Sequence, residues 1–132
     1  MIDFSKELVA SLILGEAVTN SSEGNWIFSK DELADMYGIT SPSELKEVVE
    51  TINNLYPEAL LDDPFDYSDP GGLNVNLAGG WTLSYWEGRD DMPDSMRESL
   101  FTLRNLYDNY RLSRYYTGLF EHWSAMVEQR AA

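Results

Sequence analysis

Ser29-Lys30-Asp31-Glu32-Leu33-Ala34-Asp35-Met36-Tyr37-Gly38, followed by Ser41-Pro42-Ser43-Glu44, is the stretch that decides how this chain folds. Ser29 and Ser41 each stand three residues before a glutamate, the spacing of a capping box. The serine oxygen takes the amide of the third helical residue and the glutamate reaches back to the cap. The first helix is short, burying Leu33, Ala34 and Tyr37, and ends at Gly38, which accepts the left-handed conformation after a helix. Ile39 turns inward. Pro42 then occupies the first position of the second helix, where a missing amide costs nothing. Leu45, Val48, Val49, Ile52 and Leu55 form that helix's inner face, and it ends before Pro57. Two capped helices with a glycine between them predict a helix-turn-helix.

Downstream, Leu73-Asn74-Val75-Asn76-Leu77 and Trp81-Thr82-Leu83-Ser84-Tyr85 both alternate apolar and polar residues across Ala78-Gly79-Gly80. Alternation across a glycine turn predicts a β-hairpin burying Leu73, Val75, Leu77, Trp81, Leu83 and Tyr85. Trp26-Ile27-Phe28 is a short apolar run suited to a strand paired with that hairpin. The resulting expectation is an α+β, mostly α chain: a winged helix-turn-helix domain with a C-terminal helical extension.

The flanks complete that outline. Asp3 to about Ala17 predicts an amphipathic helix with Phe4, Leu8, Leu12 and Ile13 on one face, and residues 19–25 a polar loop. After the linker Gly88–Pro93, Ser95-Met96-Arg97-Glu98 reads as a third capping box. Helix is expected from there to about Gln129, broken or bent at Gly118. The domains are then 1–88, an acidic winged helix-turn-helix, and 89–132, helices rich in aromatics and arginine that supply an interface or dimerisation surface.

Charge divides the chain along the same line. The net charge is −14, yet residues 1–88 hold 16 acids against three lysines, while all six arginines lie in 89–132. From Glu47 to Gly88 the acids are Glu47, Glu50, Glu58, Asp62, Asp63, Asp66, Asp69 and Glu87, with no Lys or Arg. Neutralising phosphates supplies most of the energy of DNA binding, so this balance argues against direct nucleic-acid contact. Arg97, Arg104 and Arg111 are seven apart and share one helix face, with Arg114 nearby. Tyr107, Tyr110, Tyr115, Tyr116, Phe120 and Trp123 exceed what one buried stripe needs and point to an interface. The expected partner-binding residues are therefore the acids Glu47, Glu50, Glu58, Asp62, Asp63, Asp66 and Asp69, together with Arg97, Arg104, Arg111, Tyr107, Tyr110, Tyr115 and Trp123.

Catalytic chemistry is hard to place. There is no cysteine, which removes disulfides, thiolate metal sites and Cys nucleophiles. The single histidine, His122, has no nucleophile or second ligand near it. The aspartates of 62–69 lack a calcium-loop register, with Pro64 and Pro70 at would-be ligand positions. Gly79-Gly80 has no lysine or helix N-terminus behind it to cradle phosphate. We expect no enzyme, no cofactor and no metal. The apolar run Leu8–Leu14 is too short to span a bilayer and no signal peptide is visible, so the expected location is the cytoplasm.

Gly72-Leu73-Asn74-Val75-Asn76-Leu77-Ala78-Gly79-Gly80-Trp81-Thr82-Leu83 resembles the wing of the first winged helix in the segregation and condensation protein B family. Ser29 to Gly38 matches that family's helix-turn-helix pattern, and the resemblance spans residues 4–86. It implies an acidic winged helix that dimerises and grips the kleisin subunit of a bacterial chromosome-condensing complex. The loops at 19–25 and 57–72 are longer than the family needs, and helices replace its second winged helix.

Three functions follow. The first is a non-enzymatic interaction module that dimerises and binds a kleisin-type chain. The second is a small acidic inhibitor of phage or mobile-element type, whose carboxylates mimic DNA phosphates against a basic nuclease. The third is a winged-helix transcription regulator presenting Ser43, Lys46, Glu47 and Glu50 to a groove, two of which repel phosphate.

Overall fold

The computed structural model describes residues 6–60 and 72–131, with the backbone alone for 118–131. Helix α1 (Lys6–Asn20) is followed by strand β1 (Asn25–Phe28), helices α2 (Lys30–Tyr37) and α3 (Pro42–Leu55), strand β2 (Leu73–Asn76), the short helix α4 (Leu83–Trp86) and the long helix α5 (Asp94–Ala131). The chain is mostly helical with one small antiparallel sheet, an α+β arrangement.

α1 is the axis of the molecule. It packs on α3 and on α5, and Val9 to Val18, Ser11 excepted, is buried all round. The amphipathic helix expected from Asp3 to Ala17 is thus a core helix ending at Asn20, exposed only at its two ends, Lys6 and Glu7 at one and Asn20 at the other. Its contact with α5 is close enough to require a glycine. A Cβ on Gly15 would lie 2.5 Å from the Leu103 carbonyl oxygen and 3.1 Å from Tyr107 Cβ.

The helix-turn-helix segment follows its caps. Ser29 Oγ accepts the Glu32 amide at 3.1 Å, and Ser41 Oγ accepts the Glu44 amide at 3.2 Å. Gly38 closes α2 in the left-handed region, at φ 69°. Leu33 and Tyr37 of α2 and Leu45, Val48, Val49 and Ile52 of α3 are buried; Ala34 is half-buried and Leu55 exposed. The return halves of the boxes differ from expectation. Glu44 accepts from the hydroxyls of Thr40 and Ser41, and Glu32 turns away from its cap toward Glu16.

The expected hairpin does not form. β2 pairs with β1, placing Asn25 opposite Asn76, Trp26 opposite Val75, Ile27 opposite Asn74 and Phe28 opposite Leu73. After a turn at Ala78–Trp81 the chain enters α4 instead of returning as a strand. The reason is local. Thr82 Oγ1 accepts the Tyr85 amide at 3.2 Å, capping a helical turn, and Trp86 Nε1 donates to the Gly80 carbonyl at 2.7 Å. Leu73, Val75, Leu77 and Trp81 are buried as expected, whereas Tyr85 is exposed.

α5 also departs from expectation. It starts at Asp94, its first bond running from the Arg97 amide to the Pro93 carbonyl, so Ser95 lies inside the first turn rather than capping it. It continues unbroken through Gly118. Leu100, Leu103 and Tyr107 are buried, the last two against Gly15 of α1, while Leu106 and Tyr116 are exposed. Among the described residues no helix is long and apolar enough to cross a membrane.

Candidate functional site

The arginines of α5 converge on a groove. Arg97, Arg104 and Arg111 repeat every seven residues, nearly two helical turns, so they stand in a row about 21 Å long at 1.5 Å per residue. Arg89, from the segment after α4, joins them. Together with the end of α1 (Thr19, Asn20) and with α4 they line an open groove of about 820 Å³. Its apolar lining comes from Leu83, Trp86, Met92, Phe101 and Tyr107, and its acids are Glu87 and Asp108.

Three of these four guanidinium groups have an acid or an aromatic ring beside them. Asp108 lies 3.5 Å from Arg104 and 4.0 Å from Arg111. Arg104 sits 5.9 Å from the Phe101 ring centre, Arg111 5.9 Å from that of Tyr107, and Arg89 4.4 Å from that of Tyr85. Stacking of this kind costs the guanidinium little, because it is weakly hydrated and keeps its N–H edge free. The Arg97 side chain makes no ion pair or ring contact among the described residues. In a chain of net charge −14, four arginines against two acids make a positive patch.

Arg114 does something else. Its Nη1 donates to the Asp35 carbonyl at 2.7 Å, and the Tyr110 hydroxyl donates to the Met36 carbonyl, so α5 satisfies the open carbonyls at the end of α2. Tyr110 also stacks on Tyr37 at 6.0 Å.

The other expected site residues scatter. Glu47, Glu50 and Glu58 are exposed, and Glu47 lies 3.3 Å from Lys6. Asp62, Asp63, Asp66 and Asp69 fall outside the described residues, as do the side chains of His122 and Trp123. Tyr107 of α5 is buried against Gly15 of α1, Tyr110 is half-buried, and Tyr115 is 60% exposed beside Tyr116 at 62% and Leu112 at 45%.

A second cluster, centred on Glu16, was not expected at all. Glu16 is 1% exposed, in the middle of α1. Its Oε1 accepts from the Tyr37 hydroxyl at 2.7 Å and its Oε2 from Trp26 Nε1 at 2.8 Å. Glu32 meets it from α2. Burial, then a hydrogen bond to Glu16, then the charge of Glu16 push the Glu32 carboxyl up to about 8. At neutral pH the Glu32 carboxyl therefore keeps its proton and donates it toward Glu16. Burial and the same charge push the Tyr37 and Tyr107 hydroxyls up, so both remain donors. A sequence signal did exist. Glu16 lies four residues after Leu12 and three after Ile13, on the face that both bury.

The arrangement can bind anions at the groove and hold a proton in the core; no cluster of three or more metal-ligating side chains occurs among the described residues. Comparison of the chain with protein-family models, with curated proteins and with solved structures gave no match in any of the three.

Proposed function

We propose that this chain is a non-catalytic protein–protein interaction module, one that self-associates and binds a partner chain in the cytoplasm. The observation that carries the reading is the division of α5. Its first half packs on α1, Tyr110 and Arg114 tie it to the end of α2, and Leu112, Tyr115 and Tyr116 beside that tie face solvent. Exposed apolar and aromatic side chains grouped on one helix are the usual material of an interface. A second copy is the occupant we assign to that face, giving a homodimer.

In this proposal residues 6–77 act as a winged helix-turn-helix whose wing is reduced to β2. α3 occupies the place of a recognition helix, and its exposed face carries Glu44, Glu47 and Glu50 against Lys46. That face repels phosphate and suits a protein partner, in the specific version a kleisin-type subunit of a chromosome-condensing complex. The same acidic face favours a second reading, a DNA mimic that blocks a basic nuclease channel.

Affinity capture of the tagged chain from its native cells, washed at moderate salt and read by mass spectrometry, tests both. Recovery of a kleisin with its ATPase is the expected result. Recovery of a nuclease would transfer the role to the acidic face, and recovery of no protein would overturn the module reading.

A further inference from the structure

The groove beside α5 has a length, a charge and an apolar floor, and these specify a ligand more closely than an interaction module requires. We propose that it receives an extended acidic peptide segment of a partner protein, with acids on alternate residues and apolar side chains between them. The inference rests on the interaction-module reading and names the chemistry of the partner.

Length comes first. The row from Arg97 to Arg111 spans about 21 Å, the reach of roughly six extended residues at about 3.3 Å each. Alternation in an extended strand throws successive side chains to opposite sides. One side would meet the guanidinium row and the other would meet Leu83, Met92 and Phe101. Phe101 is itself exposed and lies under Arg104, so one ring serves both sides.

Charge selects peptide over nucleic acid. The four arginines stand against Glu87 and Asp108, and Asp108 already engages two of them. A single nucleic-acid strand of that length would bring about six phosphates, at roughly one per 3.4 Å. Such a ligand would bring about three times the negative charge that the groove's surplus of arginine can pair. Two carboxylates match the surplus of four arginines over two acids, and a third is the most the row can meet. Arginine is also the side chain suited to them, because its planar fork takes a carboxylate on two parallel hydrogen bonds.

Fluorescence anisotropy on the full chain tests this with defined probes. A labelled hexapeptide alternating glutamate and leucine should bind at least about ten-fold tighter than one alternating glutamine and leucine, and should weaken as salt is raised. The double variant R97Q/R104Q should lose about ten-fold or more of that binding. Arg97→Gln alone, where no ion pair is lost, should lose part of it with an unchanged melting temperature, and Lys30→Gln on α2 should bind as the parent does. Equal binding of the two peptides, or full binding by R97Q/R104Q, would overturn the proposal. So would displacement of the peptide by an equimolar six-nucleotide oligothymidylate, which would assign the groove to nucleic acid. If affinity capture recovers no protein while the glutamate peptide binds and R97Q/R104Q does not, the module reading falls and the groove's chemistry stands.

Discussion

A glutamate in the centre of a helix is usually a surface residue, and burying one is tolerated only when its oxygens are satisfied. Glu16 meets that condition with donors from two elements: Trp26 on β1, and Tyr37 and Glu32 on α2. The arrangement has a pH consequence whose sign is fixed. Glu32 ionises at about 8 in the folded chain against 4.5 for the ordinary group. Between those values the folded state binds the extra proton, so this group's contribution to stability is full below about 4.5 and is lost as pH rises through 8. Glu32→Gln keeps a donor toward Glu16 but cannot ionise. Thermal melts from about pH 5 to 9 should show the parent losing stability more steeply than the variant; parallel curves would place no shared proton there. Tyr37→Phe removes one donor from a buried carboxylate and should destabilise by about 1–3 kcal/mol in urea titrations.

At the scale of elements, the contact between α1 and α5 is limited by Gly15, where the Leu103 carbonyl occupies the space a side chain would need. Gly15→Ala should therefore cost about 1–3 kcal/mol, in spite of alanine's better helix propensity, because the two helices must move apart. Urea denaturation checks it, with Lys30→Gln on the exposed side of α2 as a variant expected to change little. Elements whose ends are set by close neighbours in the chain were legible in the sequence. The serine caps and Gly38 placed α2 and α3 to within a residue or so, since a cap is a bond between residues three apart. Trp81 to Tyr85 was misread for a related reason. Alternation over five residues is compatible with a half-buried strand but does not exclude a short capped helical turn. Thr82, whose side chain caps a turn as readily as it faces out from a sheet, then decided the matter in favour of α4. The Arg97–Arg104–Arg111 face was visible from heptad spacing alone. That α4 and the end of α1 would wall it into a groove was not, because those contacts join residues far apart in sequence.

For the whole molecule, the division of acids and arginines seen in the sequence survives folding as separate surfaces: the exposed side of α3 and the groove along α5. If the distal half of α5 joins two copies, then Tyr115→Glu combined with Tyr116→Glu should convert dimer to monomer in sedimentation equilibrium while leaving the melting of the core intact. A monomeric parent would remove the dimer from the proposal. The position of α1 also matters for the time the chain takes to be made. α1 is the first of the described helices to leave the ribosome, yet the side of it that carries Gly15 is packed by Leu103 and Tyr107, nearly ninety residues later. At about 5–20 residues per second that is a delay of roughly 4–17 s. Throughout it, a helix buried on nearly every face in the finished protein lacks its α5 cover, although α3, Trp26 of β1 and Tyr37 of α2 can already meet it. A nascent chain paused before Leu100 thus displays an apolar strip, and it is then, before the fold closes, that a chaperone would have its opening.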